Sequence, residues 1–112
     1  MEHINNLGEA VEVLRNKLGG AVPLSLVAVF LAVANCAEKG TTHDQLSKIT
    51  GISQPVVSRL VKSLTVYYDK RGQLTGDGLL ENYPDPWETR RFRTRLTEEG
   101  IKLASQLSGL FK

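Results

Sequence analysis

Leu7, Val11, Leu14 and Leu18 recur at spacings of four and three, which places them along one face of a first helix that ends at Gly19-Gly20. Pro23 suits the opening turn of a second helix, because its missing N–H costs nothing there. The run through Val27, Phe30, Leu31 and Val33 is apolar on every side and is read on to Lys39, with Gly40 as its stop. Thr42 opens a third, short helix over 43–49, since Gln45 stands three residues on and can return a hydrogen bond to the cap. Gly51 then makes a turn, Ile52 supplies a core plug, and Ser53 caps a fourth helix carrying Pro55 in its first turn. At about 100° per residue, Val57, Leu60, Val61 and Leu64 fall on one side of that helix. Pro55, Ser58, Arg59, Lys62 and Ser63 fall on the other, leaving a polar edge for a partner.

Beyond Leu64 the period changes. Thr65-Val66-Tyr67-Tyr68 can prolong the helix or open a strand, and 69–78 has loop composition with three glycines, Gly72, Gly76 and Gly78. Residues 79–83 predict a strand, Pro84-Asp85-Pro86 a turn, and 91–96 a return strand in which Phe92, Thr94 and Leu96 alternate with Arg91, Arg93 and Arg95. A packed face and a cationic face are expected from that alternation. Thr97 caps a last helix with Glu98 and Glu99 in its first turn, where carboxylates favour the helix dipole, and Ile101, Ala104, Leu107, Leu110 and Phe111 give it an apolar stripe. The expected class is mainly α with a small β-hairpin (α+β). Five helices surround one modest core, in a single domain over residues 1–112.

Charge sharpens this picture only when it is divided along the chain. The net charge is +2, yet residues 41–97 hold nine Lys/Arg against six Asp/Glu, and four of the nine lie between Arg90 and Arg95. A helix-turn-helix over 42–64 with an arginine-rich flap beside it suits a polyanion, although an arginine run is also the ordinary make-up of a solvated surface. One cysteine, Cys36, excludes an intrachain disulfide and fits a reducing compartment, so the cytoplasm is expected. It reads as an inert thiol rather than a sensor. Acidic Glu2, Glu9 and Glu12 occupy the place of a signal peptide's basic region. Residues 19–37 are uncharged, but Gly19, Gly20 and Pro23 break that run and Ser25 and Asn35 dilute it. A buried central helix is therefore expected rather than a membrane span.

The residues themselves resemble a known group. Gly51-Ile52-Ser53-Gln54-Pro55-Val56-Val57-Ser58-Arg59-Leu60-Val61 is similar to the recognition-helix segment of the MarR-type winged helix-turn-helix transcription regulators, and Gly78-Leu79-Leu80-Glu81 to the strand entering their wing. Asp85-Pro86-Trp87-Glu88-Thr89-Arg90 resembles their wing-tip pattern, with Glu88 in place of the usual Asp. Leu96-Thr97-Glu98-Glu99-Gly100 resembles their Leu-Thr-x-x-Gly run. The resemblance covers roughly residues 24–104. It departs at 65–77, longer than the usual link from recognition helix to wing (79–96), and at Lys112, where the family continues through a longer dimerisation region.

The resemblance implies a sequence-specific double-stranded DNA-binding regulator, a homodimeric repressor of a pseudo-palindromic site. Two recognition helices would be set about 34 Å apart. Gln54 is suited to adenine, Arg59 to guanine or a phosphate, and Pro55 or Val56 to thymine methyls. Thr42 and Ser53 at helix starts, with Ser58 and Lys62, would meet the backbone. Arg90 stands where the family's minor-groove arginine resides, with Arg91, Arg93 or Arg95 along the backbone; a salt bridge from Arg90 to Glu88 or Asp85 is the plainer alternative. The helices over 1–20 and 97–112 supply the expected dimer surface through Leu7, Val11, Leu14, Leu107, Leu110 and Phe111. Family members often bind small aromatic compounds, for which these residues give no separate support.

Other readings remain open on sequence grounds: a winged-helix adaptor anchored by Trp87, or a replication or partition DNA-binding protein. Trp87 can pack back on the hairpin, touch DNA sugars or meet another protein. Tyr67 and Tyr68 read as hydrophobic closure beneath the 69–78 loop. His3 and His43 are isolated from carboxylates and cysteines at metal spacing, so no metal is expected, and His43 reads as a surface or phosphate contact. No Gly-rich phosphate loop, activated nucleophile or paired carboxylates appear, so neither an enzyme nor a cofactor is expected.

Overall fold

A computed structural model describes residues 1–36, 38–88 and 90–111. Thr89 of the tip pattern, Ala37 at the end of the uncharged run and Lys112 lie outside the described residues. The element order is α1 (Glu2–Leu18), α2 (Leu24–Ala34), α3 (His43–Thr50), α4 (Gln54–Leu64), β1 (Tyr67–Tyr68), β2 (Leu74–Thr75), β3 (Leu80–Pro84), β4 (Phe92–Leu96) and α5 (Glu98–Gly109). The expected five helices are present.

The core gathers around α2, whose Val29, Phe30 and Val33 are shut from water together with Leu46 of α3, Val57, Val61 and Leu64 of α4, and Leu79 and Leu80 at the entry to β3. Full burial of side chains of this size contributes roughly 1.5–3 kcal/mol each. Helix α2 is apolar all round, yet it is not buried all round as expected: Leu24 and Leu31 remain exposed. Among the described residues, no helix is long and apolar enough to cross a membrane.

Several expectations change. Helix α2 stops at Ala34, well before Gly40. Gly40 is a glycine for another reason: its φ is +69°, and a Cβ there would lie 2.4 Å from the Thr94 carbonyl oxygen. The chain passes this close because Thr41 pairs with Thr94, each donating its N–H to the other's carbonyl at 2.9 and 2.7 Å. The linker between α2 and α3 is thereby hydrogen-bonded to β4.

The 65–78 stretch is neither helix nor simple loop. Its strands β1 and β2 form a miniature antiparallel hairpin, with the register Tyr67 opposite Thr75 and Tyr68 opposite Leu74. The Asp69 carboxylate accepts the N–H groups of Arg71 and Gln73, both at 2.9 Å, and so supplies turn bonds from a side chain. Tyr67 is half-buried, but Tyr68 is mostly exposed and does not close anything beneath the turn. In α5 the buried face is Gly100, Leu103 and Leu107, whereas Ile101 is exposed, so the expected stripe is rotated.

The expected dimer residues divide. Leu14 and Leu107 are used up in the chain's own core, because α1 and α5 pack those positions inward. Leu7, Val11 and Phe111 remain exposed, and Leu110 is half-buried against the core.

Candidate nucleic-acid interface

Local chemistry fixes the helix-turn-helix. Thr42 caps α3 by accepting the Gln45 N–H at 3.2 Å, while Gln45 Oε1 accepts the Thr42 N–H, completing the capping box expected from sequence. Gly51 ends α3 in the left-handed region at φ 74°, and Ser47 Oγ donates to the Ile52 carbonyl at 2.6 Å, pinning the turn. Two polar contacts then align α4 against α3. Gln54 donates to Asp44 at 2.8 Å, and His43 Nδ1 shares a hydrogen bond with Ser58 Oγ at 3.0 Å. Burial pushes the His43 pKa below the ordinary histidine value, which favours the neutral ring.

Ser53 stands at the start of α4 without a side-chain capping bond, so its expected capping role is not present. Thr42 is buried and spent on its own helix, leaving its side chain little freedom for a phosphate. His43 is half-buried rather than a surface group. Val56 is half-buried too.

On α4 the buried Val57, Val61 and Leu64 define the inward direction. Gln54, Ser58, Lys62, Pro55 and Arg59 are all exposed and sweep an arc of roughly 140° at 100° per residue. Arg59 lies almost opposite the core on that arc. Lys62 Nζ sits 4.9 Å from the centre of the Tyr67 ring, where a cation gains from the ring's negative face.

Strands β3 and β4 form the expected antiparallel hairpin, in the register Leu80–Leu96, Glu81–Arg95, Asn82–Thr94, Tyr83–Arg93 and Pro84–Phe92. Its arginines are not a free cationic face. Arg91 pairs with Glu88 at 3.7 Å, Arg93 with Asp85 at 3.3 Å, and Arg95 with Glu81 at 2.8 Å while stacking 4.1 Å from the Tyr83 ring centre. Arg93 is mostly buried and also donates to the Lys39 and Gly40 carbonyls, each at 3.4 Å. It is a clamp between hairpin and helices, and the expected backbone contact at Arg93 is corrected accordingly. Phe92, placed on the packed face by alternation, is mostly exposed, because β4 begins there at the tip end of the hairpin, opposite Pro84. Among the described residues Arg90 forms no ion pair, so the sequence alternative of a bridge to Glu88 or Asp85 does not occur.

Asp85 builds the tip. It is buried, accepts the Trp87 N–H at 2.9 Å and faces Arg93. The Trp87 N–H, and then Arg93, hold its carboxyl below the ordinary carboxylate pKa against the opposing effect of burial. The tip is therefore stabilised fully above the ordinary carboxylate value of about 4 and loosens as pH falls through the lower folded value. The protection of the Trp87 backbone amide, taken relative to its intrinsic exchange rate at each pH, should fall only below about pH 4. In Asp85→Asn that protection should be lower already at pH 7 and independent of acidification; equal protection in both proteins at every pH would contradict this role.

Tip and helix-turn-helix meet. Thr42, His43 and Asp44 from the start of α3, Gln54 from the first turn of α4, and Arg90, Arg91 and Phe92 from the hairpin line one open groove of about 530 Å³. Of the sequence-predicted residues this groove unites Thr42, Gln54, Arg90 and Arg91. Pro55, Arg59 and Lys62 lie along the exposed arc that starts at its edge, and Arg93 lies behind it. Sequence reasoning missed Asp44: its pairing with Lys48 at 3.2 Å is local to α3, but its bond to Gln54 spans ten positions across the turn and leaves no local signal.

Solved structures share this fold. The S. aureus MepR–DNA complex superposes with a TM-score of 0.69 at 20% identity, over 96% of this chain and 77% of that one. The fold is that of the MarR-type winged helix-turn-helix regulators. PcaV, a transcriptional regulator from Streptomyces coelicolor solved with its natural ligand, matches this winged helix at TM-score 0.58 and 25% identity, over 96% of this chain and 69% of its own. CouR from Rhodococcus jostii RHA1, bound to p-coumaroyl-CoA, does so at 0.63 and 21%, over 94% and 64%. The MarR-type neighbours are thus longer than this chain, and they are regulators rather than enzymes. No family model and no curated protein matches the sequence.

Proposed function

We propose that this chain is a sequence-specific double-stranded DNA-binding transcription regulator, a cytoplasmic homodimeric repressor that occupies a pseudo-palindromic site. The observation that carries the reading is the common groove in which Gln54, at the start of the exposed arc of α4, faces Arg90 of the wing. A helix edge of this kind fits a major groove about 12 Å wide. Arg90 beside it reaches the adjacent minor groove, where negative potential concentrates in narrow A·T-rich stretches. The MepR neighbour was solved on DNA, which supports the same use of the fold here. PcaV and CouR carry small molecules; the proposal for this chain requires none.

The dimer surface is proposed on α1, where Ile4, Leu7 and Val11 are at least half exposed at helical spacing, together with Phe111. One set of measurements tests the whole reading. Affinity for random-sequence duplex should fall steeply with salt, with a log–log slope near −0.9 for each phosphate neutralised. The double variant Leu7→Glu, Val11→Glu should sediment as a monomer and bind with a shallower slope. Salt-insensitive or absent DNA binding would favour the adaptor alternative, and an unchanged dimer would move the interface elsewhere.

A further inference from the structure

The tip of the wing carries the chain's single tryptophan, Trp87, and it is 92% exposed. Of the three roles open to it on sequence grounds, packing back on the hairpin is excluded by that exposure. An indole left in water is unfavourable, since its flat apolar body gains only when covered. Exposure here does not reflect a loose end. The Trp87 backbone N–H donates at 2.9 Å to the buried Asp85 carboxylate, which also pairs with Arg93, and the Asp85 backbone N–H donates to the Arg91 carbonyl at 2.9 Å. A braced turn thus holds an aromatic ring outward.

We propose that Trp87 is a further DNA-contact residue, which enters the minor groove beside Arg90 and lies against the deoxyribose wall. This rests on the DNA-binding reading above. Its occupant follows from continuity and charge. Arg90, three residues on along the same turn, makes no ion pair among the described residues and lines the groove shared with Gln54, so on this proposal the indole meets the same partner as Arg90. A polyanion recognised by Arg90 presents mainly apolar sugar edges between its phosphates. The minor groove, about 6 Å wide, admits a flat ring edge-on but not a bulky branched one. An arginine and an aromatic side chain on the same hairpin tip therefore match the two chemistries of that groove, charge and sugar. Aromatic contacts of this type discriminate little between bases, so Trp87 adds affinity and shape preference rather than base reading.

Because there is one tryptophan, its emission reports the tip alone. Titration of the full chain with random-sequence duplex should quench and blue-shift the emission in step with binding followed by fluorescence anisotropy of labelled DNA. Trp87→Ala should weaken binding roughly five- to tenfold while leaving the salt slope unchanged, since no charge is removed. Trp87→Phe should recover part of the loss. Salt-dependent binding with unaltered emission, or with Trp87→Ala equal to wild type, overturns the proposal and leaves the DNA-binding reading standing. An emission shift that tracks protein concentration without DNA assigns the indole to a protein contact and overturns it as well. Absence of any DNA binding by the wild type overturns both.

Discussion

Replacing Arg90 with alanine is expected to weaken duplex binding about tenfold at moderate salt and to reduce the salt slope by about one. The reason is its isolation. The neighbouring arginines of the wing have carboxylate partners: Glu88 for Arg91, Asp85 for Arg93 and Glu81 for Arg95. Their charges are largely compensated inside the protein, and removing one leaves an acidic group behind. Arg90 makes no such pair among the described residues and stands on the groove it shares with Gln54. Arg59→Ala is expected to act differently. Arg59 points away from the core on the exposed arc of α4, so its loss should flatten the preference for the favoured base at one position of a selected site, by about 1–3 kcal/mol of discrimination. Selection of bound duplexes from a random pool, repeated with each variant, separates the two. An Arg90→Ala protein with unchanged affinity and slope would remove the wing from the interface.

Gly100→Ala is expected to be the most damaging single methyl addition on α5. A Cβ at Gly100 would lie 2.1 Å from the Leu79 carbonyl oxygen and 3.1 Å from its carbon, both backbone atoms that cannot turn aside. Alanine normally favours a helix over glycine by about 1 kcal/mol, but overpacking on this scale costs about 1–3 kcal/mol or more and wins. A loss of about 2–3 kcal/mol lowers Tm by roughly 10–20 °C in a domain of this size. Leu79 leads directly into β3, so helix and wing separate together and DNA affinity should fall as well. Gly109→Ala is the control: no atom lies within 4 Å of its added Cβ, and the same methyl should leave Tm unchanged or slightly raised. Equal melting of Gly100→Ala and wild type would show that α5 rides freely on the strand.

Glycine contacts of this kind explain where the sequence was legible and where it was not. The α3 cap was readable because Thr42 and Gln45 are three residues apart and their bonds are local. Hydrophobic periodicity misplaces the phase of α5 because it gives no weight to Gly100, the residue of closest approach, and draws Ile101 inward instead. Gly40 reads locally as a helix stop, although its left-handed backbone serves an approach to Thr94, more than fifty residues along. The arginine face looked uniform in sequence because its neutralisation depends on strand register, which sets Glu81 opposite Arg95 and is unknown until the hairpin closes. The two faces of α4 are legible in full, since they are written in its own periodicity.

The paired N–H and carbonyl groups of Thr41 and Thr94 carry a consequence for target choice. With the clamp of Arg93 on Lys39 and Gly40, they tie the hairpin to the linker that leads into α3. On the DNA-binding reading proposed above, flap and helix-turn-helix then approach a duplex as a joined pair of jaws, and more of the fitting falls on the nucleic acid. Duplexes whose steps flex easily between the two points of grip are expected to be held in preference to stiff ones of otherwise identical contacts.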